Sequence, residues 1–379
     1  MHRNTFAAIT ENLGKVKHPI ADSMTLPPLC YSDEAWLERE QQRLFGRGWV
    51  AVGREDRWRR AGDYAALDLA GVPLVVMRDN QNRLRAWANS CRHRGMKLLS
   101  GEGRCKVVVC PLHAWTYDLN GSLISAPHME TGSDFDPAGF GLVEFRLECQ
   151  DGFVFVCLDP EQRELADWLG DFSEVHRPWA LGEWVTARVR EFEADCNWKL
   201  FIEIFNEYYH QPCVHPQSIA DAYLEPEPCD AVMGEYTTQF GVTHGSGGLL
   251  KEHRDRGLPP APGLCGRNLN GTRYTWVYPN LTFAACFDAL WMYQAYPVTP
   301  GRCNVIQTIA FPGASTVRDD FATRAEIYYR RIDTALKEDL QFLREQQAGL
   351  ASPFARQGRF SALEPGVANF ACWYAEHMG

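Results

Sequence analysis

Two short runs constrain this chain more than any other feature: Cys91-Arg92-His93-Arg94-Gly95 and, with sixteen residues between His93 and Cys110, Cys110-Pro111-Leu112-His113. Each holds one thiol and one imidazole within a few positions, close enough for both side chains to reach one metal centre. Arg94-Gly95 favours a tight turn behind the first pair, and Pro111 stiffens the second. Lys106 to Val109 reads as a short strand between them. Zinc is the competing reading, but zinc fingers usually group cysteines with cysteines and histidines with histidines.

The mixed pairing suits a Rieske-type [2Fe-2S] cluster, in which two thiolates hold one iron and two neutral imidazoles hold the other. Losing two anionic ligands raises the reduction potential, so such a cluster passes single electrons to an oxidant. At 379 residues the chain is long enough for two domains, each with its own core. A formal net charge of −10 argues against a nucleic-acid partner, which needs a basic surface. The basic run Arg54 to Arg60 is interrupted by acids and reads as a solvated loop, with reductase docking as the other reading. The thirteen cysteines are scattered and odd in number, without an apolar leader, which fits a reducing cytoplasm better than a disulfide framework. No run of about 18 apolar residues exists, so no membrane span is expected.

Residues 1 to 31 lack periodicity and read as an arm on the surface or on another subunit. A helix follows, capped by Ser32, with Asp33 and Glu34 in its first turn. From 46 to 158 short β-rich runs separated by turn residues predict a small antiparallel domain. From 159 to 379 the texture is α+β: a strand over Trp184 to Ala194, a helix opened by Asn197, and strands over Tyr236 to Thr243, Tyr274 to Tyr278, Leu281 to Phe287, Leu290 to Tyr296 and Asn304 to Phe311. A long helix from about Val317 to Gln347 closes the order. Residues 245 to 273, rich in Gly, Pro and charge, read as a mobile loop and a candidate lid.

The helix after Asn197 is expected to run on to His210, which would put Glu203, Glu207 and His210 on one face at i, i+4 and i+7. Pro212 then breaks it and swings His215 back beside His210. Two such imidazoles are candidates for a facial triad of two His and one carboxylate, the arrangement that binds non-haem Fe(II) and leaves positions open for O₂. Spacing does not identify the carboxylate. Tyr274, Trp276 and Tyr278 alternate onto one strand face, and Trp291 with Tyr293 onto another. Most of these rings fill the core; one or two, with Phe201, Ile204 and Phe205 from the iron helix, are expected to line a substrate pocket. No G-x-G-x-x-G fingerprint follows a strand, so the chain is not expected to bind NADH itself.

The two cluster runs, with Ala114-Trp115 after the second, resemble the signature of the Rieske non-haem iron oxygenases, catalytic alpha subunit, the ring-hydroxylating and N-demethylating family. Leu112 and Ala114 depart from the Tyr and Gly common there. Asn197-Trp198-Lys199 followed by Glu203, Glu207, His210 and His215 is similar to the family's mononuclear iron motif. The resemblance implies an N-terminal antiparallel Rieske domain, a helix-grip catalytic domain, Cys91, His93, Cys110 and His113 on the cluster, and His210 and His215 on iron. From the Glu338-Asp339 pair it implies Asp339 as third ligand, with Asp333 and Glu338 as alternatives. It further implies a homotrimer in which Glu207 links His113 of one subunit to His210 of the next, and a separate NADH-dependent flavin/iron-sulfur reductase or ferredoxin as electron source. Glu207, where most ring dioxygenases have Asp, resembles the branch that oxidises quaternary amines. The expected function is monooxygenation of a quaternary ammonium or N-methyl compound, ending in oxidative demethylation. Hydroxylation of an aromatic carboxylate and a non-catalytic electron carrier are the alternatives.

Overall fold

Alternating apolar positions in runs too short for helices make the Rieske segment sheet. In a computed structural model, which describes residues 2–129, 134–220 and 222–379, contacts divide the chain into two units. One comprises residues 45–149 and 153–162; the other comprises the residues up to 44, 150–152 and 163–379.

The smaller unit is built on β1 (Val50–Arg54), β2 (Asp63–Leu69), β3 (Val72–Arg78), β4 (Leu84–Ala88), β5 (Glu102–Arg104), β6 (Val108–Val109), β7 (Thr116–Tyr117), β8 (Leu123–Ser125), β9 (Glu144–Gln150) and β10 (Phe153–Cys157). Seven form one sheet in the order β1-β10-β9-β4-β3-β2-β5, and β6-β7-β8 form a second, three-stranded sheet. Trp87, Leu98, Val108, Trp115, Tyr117, Leu119 and Leu123 are buried in one core with Cys91 and Cys110, so the loop ends are anchored from beneath. The Arg54 to Arg60 run pairs locally and across the sheet, through Arg59 to Asp56 at 3.3 Å and Arg57 to Glu102 at 2.9 Å.

The larger unit begins with α1 (His2–Leu13) and α2 (Glu34–Glu40). Residues 1 to 31 were expected as an arm on the surface or on another subunit; Thr25 donates its amide to Gly358 O at 3.1 Å and Met24 bridges to Arg359, which seats the segment on the C-terminal part of its own chain. The cap of α2 is Asp33, which accepts from the Trp36 amide at 2.8 Å, rather than Ser32, whose hydroxyl turns back to Pro28 O. After α3 (Leu165–Leu169) and α4 (Phe172–His176) comes a seven-stranded antiparallel sheet: β11 (Trp184–Ala194), β12 (Tyr223–Pro226), β13 (Tyr236–Thr243), β14 (Gly271–Val277), β15 (Leu281–Ala285), β16 (Leu290–Thr299) and β17 (Arg302–Pro312), in the order β11-β17-β16-β15-β14-β13-β12. The helices are α5 (Trp198–Phe205), α6 (Gln211–Val214), α7 (Gly313–Thr316), α8 (Phe321–Leu350) and α9 (Pro365–Met378). The long helix thus starts four residues later and ends three later than its periodicity suggests.

Strand alternation sorts the two sheet faces. Phe283 and Tyr236 meet Phe172 and His176 of α4 on one face. Burial drives the His176 pKa down to about 3, so its ring is neutral: Nδ1–H donates to Phe172 O and Nε2 accepts from the Thr275 hydroxyl, each at 2.8 Å. Tyr274, Trp276, Trp291 and Tyr293 occupy the opposite face, where Trp276 stacks on Phe370 of α9 at 3.9 Å and Tyr293 meets Phe201 of α5 at 5.5 Å. The 245 to 273 stretch is pinned to α8 and the sheet: Leu258 N–H donates to the Tyr328 hydroxyl at 2.8 Å, Ala261 N–H to Phe287 O at 2.7 Å, and Arg324 to Gly257 O at 2.9 Å. These anchors correct the expectation of a mobile loop.

At the start of α5 the Lys199 ammonium, fully buried, contacts the equally buried Glu40 carboxylate at 2.6 Å and donates to Cys30 O at 2.8 Å. Glu40 also accepts from Trp198 Nε1 at 2.8 Å and from the Tyr374 hydroxyl. Removing one member leaves the other as an uncompensated interior charge. Lys199→Met is expected to destabilise the larger unit by about 3–5 kcal/mol in chemical denaturation. Adding Glu40→Gln to it should recover part of that loss, since no buried charge then remains.

Candidate metal centres

The two loops of the smaller unit close in the same way. Cys91 N–H donates to Met96 O at 2.8 Å and Gly95 N–H to Cys91 O at 2.9 Å, while Cys110 N–H donates to Trp115 O at 2.8 Å and Ala114 N–H to Cys110 O at 3.0 Å. The turn residue of each is left-handed, with φ of +74° at Gly95 and +58° at Ala114. Glycine adopts this freely; for Ala114 it costs about 1–2 kcal/mol. Both thiols are buried, His93 is half-buried and His113 is exposed. The His93 and His113 ring centres lie 4.7 Å apart, and Trp115 stacks on His93 with an interplanar angle of 9°. The Tyr117 hydroxyl accepts from Arg92 N–H at 3.0 Å and lies 3.3 Å from Cys91 Sγ, placed to donate to a thiolate there. Burial, reinforced by the thiol, pushes its pKa well above the phenolic range, so it remains a donor. His93 Nδ1 is buried with no hydrogen-bond partner among the described residues. A buried imidazole nitrogen left bare beside two thiols fits a cluster ligand.

The second constellation is assembled differently from the single helical face expected. Asn206 donates its side-chain amide to Ile202 O at 2.7 Å and to Thr282 Oγ1 at 3.0 Å, while its backbone N–H turns to Glu203 O. The side chain takes the carbonyl that the next helical turn would use, and α5 stops at Phe205. Pro212 therefore breaks nothing; it sits in the first turn of α6, where a missing N–H is tolerated. Glu203 turns inward to accept from the Tyr31 hydroxyl at 2.8 Å, and burial lifts its carboxyl to about 7. Glu207 folds onto His210, accepting its backbone N–H through Oε2 at 3.1 Å and its Nδ1–H through Oε1.

His215 Nδ1–H donates to Glu338 Oε2 at 2.7 Å. With both Nδ1 positions used, each imidazole presents Nε2 to Asp339 Oδ1, at 3.7 Å for His210 and 2.9 Å for His215. One ligand atom from each of the three lies within 4.8 Å of the others. Asp339 Oδ1 is buried yet accepts no hydrogen bond from the described residues. Burial opposes a proton on His215, but Asp339 and Glu338 outweigh it and raise its pKa; a metal cation would meet the same field. This donor set fits a two-His, one-carboxylate iron site. Of the alternatives, Asp333 is engaged by Arg188 and Arg190, each at 2.9 Å. Glu338 stands behind His215, a role the Glu-Asp pair hinted at only as a competing ligand.

The side chains expected to line a pocket divide into separate surroundings. Phe205 meets Tyr293 at 5.2 Å and Tyr274 at 5.5 Å, Phe201 meets Tyr293, and Tyr208 meets Tyr274 at 5.7 Å. Tyr208 adds to the rings read from the sequence; Gly241 admits it, since a Cβ there would collide with its hydroxyl. Trp291 lies under the Arg331 guanidinium at 4.9 Å. Trp276 belongs to the α9 core, its Nε1 donating to Pro279 O. Ile204 faces a cavity of about 490 Å³ lined also by Tyr31, Glu203, Glu207, His210 and Glu364.

Comparison with known proteins identifies the domains that carry these residues. The Rieske [2Fe-2S] domain matches residues 48–145, and the ring hydroxylating alpha subunit (catalytic domain) matches residues 181–379. The carnitine monooxygenase oxygenase subunit of Escherichia coli (strain K12) is 29% identical over 381 residues, covering 92% of each chain. Chloroplastic choline monooxygenase of Atriplex hortensis is 28% identical over 366 residues, 94% of this chain and 78% of its own. The solved structure of a quaternary ammonium Rieske monooxygenase, described for carnitine oxidation by gut microbiota, superposes with a TM-score of 0.80 at 26% identity, covering 94% of this chain and 96% of that one. The catalytic-domain match rules out a bare electron carrier, and the chain belongs to the ring-hydroxylating alpha subunits of the Rieske oxygenases, O₂-dependent enzymes that combine a [2Fe-2S] cluster with a mononuclear iron.

Proposed function

We propose that this chain is the oxygenase component of a monooxygenase acting on a quaternary ammonium or N-methyl compound. Cys91, His93, Cys110 and His113 hold the cluster, and His210, His215 and Asp339 hold the iron. The observation that carries the reading is the glutamate at position 207, locked onto His210 through both carboxylate oxygens. It agrees with the quaternary-amine substrates named for the relatives. When bound, the cluster supplies single electrons and the Fe(II) activates O₂ for insertion of one oxygen atom into a substrate C–H bond.

The protein's part is positioning. Glu207 fixes the His210 tautomer and, facing the cavity with Tyr31, Glu203 and Glu364, leaves an edge open to the exposed His113 of a neighbouring copy in a homotrimer. Electrons come from a separate flavin/iron-sulfur reductase or a ferredoxin. Phe201, Phe205, Tyr274 and Tyr293 supply ring faces of the kind that attract a methylated ammonium. A methyl carbon hydroxylated next to nitrogen gives a carbinolamine, which expels formaldehyde and leaves the demethylated amine.

With a generic reductase, O₂ uptake is expected to be coupled to formaldehyde with a betaine or N-methyl amine. Coupled uptake only on nitrogen-free aromatic acids would move the assignment to ring hydroxylation. Glu207→Gln should slow turnover roughly ten- to hundred-fold with both metals retained, because reduced cluster no longer discharges on adding O₂ and substrate. Full activity in a stable monomer would sink the intersubunit route. Phe205→Ala and Tyr293→Ala should each raise KM for a trimethylammonium substrate about two- to thirty-fold, from the roughly 0.5–2 kcal/mol of a cation–π contact, with KM for a neutral tert-butyl analogue little changed.

A further inference from the structure

We propose that Glu338, itself held by Ser218, is a positioning residue that sets the tautomer and orientation of His215 for metal binding. The inference rests on the reading of His210, His215 and Asp339 as the iron site. Its basis is a single oxygen: Glu338 Oε2 accepts from His215 Nδ1–H at 2.7 Å and from Ser218 Oγ–H at 2.6 Å. An imidazole can present either nitrogen to a metal, and the choice is made by what the other nitrogen bonds. For His215 that bond is the one to Glu338, and it turns Nε2 toward Asp339 Oδ1, 2.9 Å away, as the nitrogen offered to the metal.

The geometry follows from α8. Successive residues of an α-helix project about 100° apart, so Asp339 and Glu338 leave the same turn in different directions. Asp339 takes the metal-facing edge of His215 and Glu338 the opposite edge. The His215 backbone is fixed from the other side, its N–H on Gln211 O at 2.9 Å and its carbonyl accepting from Ser218 at 3.3 Å and Ala220 at 3.2 Å. Ring rotation is the remaining freedom, and Glu338 removes it. The Glu338 side chain is itself 32% exposed, so water competes for its oxygens; the Ser218 hydroxyl, three residues along the same loop, holds the carboxylate in the rotamer that reaches Nδ1. Each iron-site imidazole thus has its own carboxylate behind it, Glu207 on His210 and Glu338 on His215. Such partners are worth about ten- to hundred-fold in metal affinity.

The test uses full-length protein with its cluster intact and the mononuclear site emptied, titrated anaerobically with Co(II) and followed by the d–d absorption of the bound ion. Glu338→Ala is expected to weaken Co(II) binding by about ten- to hundred-fold and to alter the band pattern. Glu338→Gln keeps an acceptor without the charge and should lie between Ala and wild type, and Ser218→Ala, which removes one hydrogen bond, should cost about two- to five-fold. The [2Fe-2S] absorption and midpoint potential should be unchanged in all three. Glu338→Ala within about twofold of wild type, while His215→Ala abolishes binding, would overturn the proposal and leave the iron site standing. Binding that survives His215→Ala would overturn the iron-site reading itself. Loss in Glu338→Gln as complete as in Asp339→Ala would make Glu338 a ligand and defeat the positioning role.

Discussion

The buried pair of Glu40 and Lys199 holds together the part of the fold that the mononuclear site depends on. Charges taken wholly out of water are tolerated only with close pairing and further hydrogen bonds, and here the carboxylate gathers Lys199, Trp198 and Tyr374 while the ammonium also reaches Cys30 O. Those residues come from the N-terminal segment, α2, α5 and α9. The start of α5 is thereby fixed to three elements distant in sequence. One helix later the chain must present Glu207, His210 and His215 within ångströms of Asp339, and a helix free to slide by one turn, about 5 Å, would scatter them.

From that anchor the proposed iron site is reached by interruptions rather than by a continuous helix. Asn206 ends α5, and the turn that follows lets Glu207 fold back on His210. The short helix α6 returns His215, with the Ser218 loop after it lying against α8. The cost is local, a helix of eight residues and another of four, and the gain is that both Nδ1 atoms find carboxylates while both Nε2 atoms converge. The cluster loops use backbone bonds for the same end. Two equivalent five-residue turns bury a thiol each and raise their imidazoles side by side, at the strain of one left-handed alanine.

Much of this was legible in the sequence because it rests on local chemistry. The paired Cys and His of the cluster loops, the strand alternation of β11 and β13, and the Asn197 cap, whose side chain accepts from Lys199 N–H at 3.0 Å, each follow from neighbours in the chain. Where the reading erred, a distant partner decided. Periodicity carried α5 on to His210 because Thr282, the partner that helps Asn206 end the helix, is 76 residues away. Where the arm lies was left open because its pairing with residues 358 and 359 leaves no local pattern. The 245 to 273 segment looked mobile because Tyr328, Arg324 and Phe287, which tie it down, lie outside it. Trp276 looked like a pocket ring because alternation gives the face of a strand but not which helix covers that stretch of it.

The aromatic wall and Glu207 bear on substrate class through different physics. Phe205 and Tyr293 belong to a ring cluster on the sheet, and ring faces attract a methylated cation through a quadrupole that a neutral isostere does not feel. Glu207 lies against His210 in a cavity lined by carboxylates, Tyr31 and apolar side chains, where its length decides which backbone and ring hydrogens it can bond together. An aspartate, one methylene shorter, would have to give up reach to either the amide or the ring of His210, or draw the imidazole toward the turn. Glutamate at 207 is therefore matched to the early end of α5, the backbone arrangement in which this chain presents His210. The length of one side chain and the faces of the rings thus support the same substrate class from separate parts of the larger unit.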